Sequence, residues 1–208
     1  MLERYARNIP ALTEAECALL RTKRVLVVGC GGLGGHIIDL LTRVGVGTLR
    51  VVDGDVFEPS NLNRQLLSNT ATLGRPKAEV ATEHIRRVSP NTAVEAVACF
   101  MTEENVRELI RDCDIVMDAL DSISARRTLA KACADAGIPV AVTALSDRAK
   151  DLRQAELKNM AVVIGSEGRG VRQEVLDSAD AELIIPMNSR CESLNAAIAA
   201  AIVMWEMK

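Results

Sequence analysis

Short β-branched runs alternate with stretches whose apolar residues recur at helical spacing, and that alternation limits what the chain can fold into. Residues 24–29 (RVLVVG) read as a buried strand, and 49–53 (LRVVD), 93–99 (AVEAVAC), 114–119 (DIVMDA) and 138–144 (IPVAVTA) as further strands. Between them lie four helical stripes. These are Ile37, Leu40, Leu41 and Val44; Ala78, Ala81, Ile85 and Val88; Val106, Leu109, Ile110 and Cys113; and Ala125, Leu129, Ala132, Cys133 and Ala136. Pro90 and Gly137 stop the second and the last. Thr13 and Glu16 fit a capping box that opens a short helix before the first strand. Strands alternating with helices predict an α/β chain, a mostly parallel sheet with helices on both faces.

The first strand runs into GCGGLG, with Gly29, Gly31, Gly32 and Gly34 at the spacing of a phosphate-binding turn that opens a helix. Such glycines let backbone approach a phosphate, and the helix N-terminus favours the negative charge. Asp53, at the end of the second strand, is placed for a ribose hydroxyl, which makes the predicted sheet Rossmann-like. Taken alone, the turn suits a nicotinamide enzyme, an ATP enzyme or a tight connection with no ligand. Composition narrows little: a net charge of −3 gives no global pull toward nucleic acid. No 18-residue apolar run predicts a membrane span, and the N-terminus lacks an apolar signal region. The six cysteines form no CxxC pair, which points to reduced thiols in a cytoplasmic setting and away from zinc. His36 and His84 sit in helical stretches and read as packing or surface residues.

The segments around and beyond the glycine turn separate these options. RYARN (4–8), VVDGDVFEPSNLNRQLL (51–67), GRPKAE (74–79) and DALDS (118–122) form an ordered series that resembles the ThiF/MoeB/HesA adenylyltransferases of the ubiquitin-activating-enzyme-like superfamily. The resemblance runs from about Arg4 to about Pro139. It implies binding of ATP and Mg and adenylation of the C-terminal carboxylate of a ubiquitin-like sulfur-carrier protein. Carried onto this chain, Asp53 would hold the ribose, and Asn61, Arg64 and Lys77 would surround the triphosphate. Asp121 would hold the metal, and Arg7 would reach the site of the other subunit in a homodimer. Two features of that family are absent: the paired CxxC motifs and a sulfur-carrying cysteine in the crossover region. The nucleotide site reads as complete and the acceptor-protein site as missing.

The tail has different company. VVIGSEGRGV (162–171), IIPM (184–187) and ESLNAAIAAAIVMWEM (192–207) resemble the C-terminal part of SpoU/TrmH (SPOUT) RNA 2′-O-ribose methyltransferases. That resemblance implies a trefoil knot and bound S-adenosylmethionine, with Gly165, Ile185 and Leu194 lining the methyl-donor pocket. Glu167, Ser193 and Asn195 match positions near the acceptor ribose of an RNA. The NxGxxxR motif of that family has no counterpart here, so RNA methylation is not expected. Residues 146–159 read as a surface connection or a short helix, residues 171–179 and the C-terminal stretch as helices. In the C-terminal helix the expected stripe is Leu194, Ala197, Ile198, Ala201, Ile202 and Trp205. The chain thus reads as chimera-like, residues 1–139 from one nucleotide-binding class and residues 140–208 from another, packed on one sheet. Residues 146–208 hold too few elements to bury a core alone. The sequence admits three functions: an ATP-Mg-binding adenylyltransferase without complete transfer chemistry, an S-adenosylmethionine binder, and an inactive scaffold. Two arrangements test the splice: whether residues 160–165 pair beside residues 138–143, and whether residues 188–208 pass through a loop.

Overall fold

The computed structural model describes residues 3–8, 12–138, 140–143, 149–155, 160–164, 171, 173–177, 179–186, 199, 202, 203 and 206. A 3-10 turn, Glu3–Asn8, leads into α1 (Glu14–Leu20), whose N-cap Thr13 forms the predicted reciprocal capping box with Glu16. The first half then alternates as predicted: β1 (Arg24–Val28), α2 (Gly32–Val44), β2 (Thr48–Val52), α3 (Lys77–Val88), β3 (Ala93–Val97), α4 (Val106–Ile110), β4 (Ile115–Asp118) and α5 (Ile123–Asp135). The described elements end with β5 (Val140–Thr143), β6 (Lys150–Asp151), β7 (Ala161–Val163), α6 (Gln173–Leu176) and β8 (Ala181–Ile184).

These strands form one eight-stranded sheet in the order β3-β2-β1-β4-β7-β5-β8-β6, and every pairing in it is parallel. Successive residues of β1 enter opposite cores, as a parallel strand covered on both faces requires. Val25 and Val27 pack with Ile37, Ile38 and Leu41 of α2 and with Val80 and Ile85 of α3. Leu26 and Val28 pack with Leu109 of α4 and Leu129 and Cys133 of α5. β7 does the same from far along the chain, Val162 joining the first core and Ala161 and Val163 the second.

The position of β7 is the departure from a simple winding. It lies between β4 and β5, with Met117 opposite Val162 and Ala141 opposite Val162 on the other side. Residues 161–163 therefore do pair beside residues 140–142. The loop passage of residues 188–208 falls outside the described residues.

Several sequence expectations are corrected. The polar stretch 146–159 contains the two-residue strand β6 and a 3-10 turn, Leu152–Gln154, that buries Leu152 in the first core. One leucine among charges leaves no periodicity to read. The helix expected over Val106–Cys113 ends at Ile110, because the backbone turns extended at Arg111 and left-handed at Asp112. Among the described residues the stretch 171–179 holds the four helical residues of α6, shorter than expected, and β8 begins at Ala181, ahead of the IIPM run. In the C-terminal helix, Ala199 and Val203 are buried in the first core although the expected stripe omits them. That run is apolar all round, so periodicity cannot choose its buried face.

Candidate functional site

The carboxyl ends of the strands meet in a cavity of about 800 Å³, within the range of small-molecule sites. It opens where the chain leaves β1 for β2 in one direction while β4 lies on the other, the switch point at which open parallel sheets bind ligands. Its walls come from the glycine turn, Asp53–Asp55 after β2, Arg64 and Gln65, Lys77, Cys99–Met101 after β3, and Ala119–Ser122 after β4. Ile164, the residue after β7, completes the lining, so the later part of the chain reaches this site too.

The glycine turn is built for close approach. Gly29 has φ +99°, and a Cβ there would lie 2.6 Å from the Ala119 carbonyl oxygen. A Cβ on Gly34 would lie 1.8 Å from the Gly29 oxygen, so α2 seats directly against the turn. Gly31 is the N-cap of α2 and has no side chain to satisfy the first helical N–H groups, which leaves them for a ligand. Asp53 shapes the turn: its Oδ2 accepts the Cys30 N–H at 2.7 Å and its Oδ1 accepts the Asp55 N–H at 2.8 Å.

Lys77 opens α3, and its side chain is 8% exposed while lining the cavity. Its Nζ donates to Asp55 Oδ2 at 3.1 Å, and that carboxylate is more than half exposed. Arg64 is exposed at the rim, its Nη1 donating to the Ser60 carbonyl at 2.7 Å. Asp121 is exposed on the opposite wall, in the loop before Ser122, the N-cap of α5. Beneath it Asp118 is buried and accepts the Leu120 N–H at 2.9 Å, with Arg126 Nε at 3.8 Å. Burial pushes the Asp118 carboxyl above the ordinary 3.8, while the Arg126 charge and the Leu120 N–H pull the other way.

The structure thus gathers Gly29, Gly31, Gly32, Asp53, Arg64, Lys77 and Asp121 around one cavity, with Gly34 packed behind the turn. It does not bring Asn61 there. Asn61 is buried in its own turn, where Oδ1 accepts the Glu58 N–H at 3.0 Å and caps Pro59–Asn61. Arg7, expected at the site of the other subunit, lies away from the cavity of its own chain. Tyr5 packs on Gly45, the C-cap of α2, so the turn carrying Arg7 sits at the end of that helix away from the glycines, a separation of about 20 Å for 13 residues. Ile185 packs against the first core and is not part of the cavity wall, while Gly165, Glu167 and Leu194 lie outside the described residues. Sequence reasoning missed Asp55, Gln65, Cys99, Phe100 and Arg126, all in the lining. Cys99 and Phe100 carried a signal, since they lie at the carboxyl end of a parallel strand. His36, read as a packing or surface residue, also lines the cavity, while His84 Nε2 lies 2.7 Å from Asp39.

Comparison with known proteins places the chain in a family. The chain is 42% identical over 142 residues to the SAMP-activating enzyme E1 of Haloferax volcanii, covering 67% of this chain and 52% of that protein. It is 37% identical over 121 residues to the molybdopterin-synthase adenylyltransferase of Escherichia coli, covering 58% and 49%. The matches thus span about half the length of these relatives. Among solved structures, the E. coli tRNA N6-threonylcarbamoyladenosine dehydratase TcdA in complex with ATP superimposes with TM-score 0.65 at 29% identity, over 74% of this chain and 68% of that one. A structure of the same enzyme with AMP aligns over 98% of this chain and 90% of that one with TM-score 0.70 at 22% identity, a likeness of fold. The ThiF family profile matches residues 5–167, past the boundary expected near Pro139 and into the second glycine-rich segment. The chain belongs to the ThiF family.

Proposed function

We propose that the cavity binds ATP with Mg²⁺ and that the chain activates a C-terminal carboxylate of a ubiquitin-like sulfur-carrier protein as its acyl-adenylate. One observation carries this reading. Lys77 is almost wholly buried in the cavity wall beside the glycine turn, and its partner there is an exposed carboxylate. A buried ammonium is costly unless paired. A flexible, exposed partner such as Asp55 can yield it to a phosphate chain.

The remaining groups fit the same ligand. The α2 N-terminus and the glycine backbone suit phosphate. Asp53, already fixed by two N–H groups, keeps acceptor capacity for a ribose hydroxyl. Arg64 and Lys77 would neutralise charge as the carboxylate oxygen attacks the α-phosphorus and pyrophosphate leaves. Asp121 would hold Mg²⁺, a hard ion that prefers oxygen and that, when bound, offsets phosphate charge. Arg7 would serve the site of the neighbouring protomer in a homodimer.

Calorimetry with Mg-ATP tests the binding step, and pyrophosphate exchange that depends on an added carrier protein tests the chemistry. No heat at millimolar Mg-ATP, or unchanged binding in Lys77→Ala and Asp121→Ala, refutes the reading. A second reading, S-adenosylmethionine held by residues 162–195, rests on sequence resemblance alone. Titration with S-adenosylmethionine tests it, and binding that survives Gly165→Arg counts against it.

A further inference from the structure

Gln65 is next to Arg64 in the ordered motif, yet the contacts of Asp53, Arg64, Lys77 and Asp121 leave its side chain unused. Its backbone is pinned. The N–H donates to the Asn61 carbonyl at 2.9 Å, and its own carbonyl accepts the Ser68 N–H at 3.0 Å and the Ser68 hydroxyl at 2.9 Å. The side chain is buried, with residual exposure of 8% for the residue, and it lies in the cavity wall. It covers Gly31, the N-cap of α2: a Cβ on that glycine would lie 3.5 Å from Nε2 and 3.9 Å from Oε1.

The carboxamide is unsatisfied. Oε1 is buried with no hydrogen-bond partner, the one such side-chain atom among the described residues. Folded proteins leave few buried polar atoms unpaired, and those that persist call for an explanation. Packing alone does not supply one, because a methionine would cover Gly31 as well without stranding an acceptor. The polar wall beside this amide is the N-terminus of a 13-residue helix whose N-cap provides no side-chain hydrogen bond. That place favours an anion bearing oxygen acceptors.

We propose that Gln65 is a further phosphate-binding residue of this site, its carboxamide donating from Nε2 to the phosphate chain seated over Gly31 while Oε1 accepts from water ordered by that ligand. The inference rests on the reading of the cavity as an ATP site. It also explains the stranded oxygen: the partners of this amide arrive with the ligand.

Two near-isosteric variants separate the roles. Gln65→Met removes donor and acceptor while keeping the length of the side chain. Gln65→Glu keeps acceptors, removes the donor and sets a negative charge beside the phosphates. Calorimetry with Mg-ATP is run on the wild type and both variants, alongside thermal unfolding without nucleotide. The expected result for Gln65→Met is affinity about tenfold weaker, the scale of one hydrogen bond to a charged group, with an apo melting temperature equal to or above that of the wild type. Gln65→Glu binds more weakly still. A purely structural glutamine gives the opposite pattern, a lower melting temperature with unchanged affinity, and that outcome overturns the proposal. Wild-type affinity in Gln65→Glu overturns it as well, and serves if the methionine variant does not fold. Binding by the wild type with no effect of either change refutes this inference alone, whereas no binding by the wild type refutes the nucleotide reading with it.

Discussion

Replacing Gly34 with alanine puts a methyl carbon 1.8 Å from the Gly29 carbonyl oxygen, about 1.2 Å short of the 3.0 Å that real Cβ atoms keep. The oxygen belongs to the backbone and a methyl has no torsion that moves it, so no side chain can turn aside. The N-terminal turn of α2 must back away from the end of β1. Ile37, Ile38 and Leu41, buried on the inner face of α2, move with it. A buried side chain of this size makes ~40–60 contacts of ~0.1–0.2 kcal/mol, and a gap near 1 Å on its inner side forfeits roughly 1–2 kcal/mol. Over three side chains, Gly34→Ala should cost about 3–5 kcal/mol, the scale of a large core cavity. Two residues earlier the same change behaves differently. A Cβ on Gly32 finds its nearest neighbour, the Arg64 carbonyl oxygen, at 3.9 Å. Gly32→Ala should be neutral or stabilising by up to about 1 kcal/mol, through helix propensity and a less entropic unfolded chain. Urea unfolding followed by circular dichroism measures both. Stability of Gly34→Ala within 1 kcal/mol of Gly32→Ala would refute the close seating of helix on turn.

Burial raises the Asp118 pKa above 3.8, so over the interval up to the raised value the folded chain keeps a proton that the unfolded chain releases. Stability therefore falls as pH rises through that interval, and Asp118→Asn should flatten this component; melting temperatures from pH 4 to 8 that keep the wild-type slope in the variant would contradict it. Burial pushes the Cys133 thiol up to about 12 and Cys113 to about 11, whereas Cys99 lines the cavity. In a Cys191→Ser background, a thiol reagent should modify Cys99 first among the described cysteines, and Mg-ATP should slow that reaction; equal rates with and without nucleotide would count against the placement of Cys99 in the site. Thr13→Ala removes the hydroxyl half of the α1 capping box and should cost about 1 kcal/mol in urea unfolding; no measurable loss would show that the cap is not a stability element.

Most elements up to Asp135 were legible because β1, β2 and β4 are largely buried apolar runs and the helices are one-sided, and those two patterns differ by period, whereas the edge strand β3 is only half-buried. The glycine turn, Asp53, Lys77 and Asp121 were legible as residues of a motif, but their environments were not. Nothing in GRPKAE says that Lys77 is buried or that its partner is Asp55, because both depend on where the 53–76 loop returns to the sheet. Asn61 shows the converse: it sits in the motif, yet its amide is used to cap a turn. The pairing of β7 beside β5 was posed from the sequence, but its insertion against β4 was not legible, because a run such as AVVI fits any central position in a parallel sheet. Its neighbours are chosen by crossovers and not by its own residues.

That placement bears on how the molecule assembles. A chain emerging from the ribosome presents β4 and β5 before β7 exists, yet in the finished sheet those two strands do not touch. Direct pairing of β4 with β5, the ordinary outcome for consecutive parallel strands, would fill the gap that residues 161–163 must enter. Folding then has to keep the sheet open at its centre, or reopen it, until a strand more than forty residues downstream of β4 arrives. The slow step of refolding in this chain should be that strand exchange, and the sheet should mature from its β3 side inward, with the wall of the cavity that contains Ile164 the last to close.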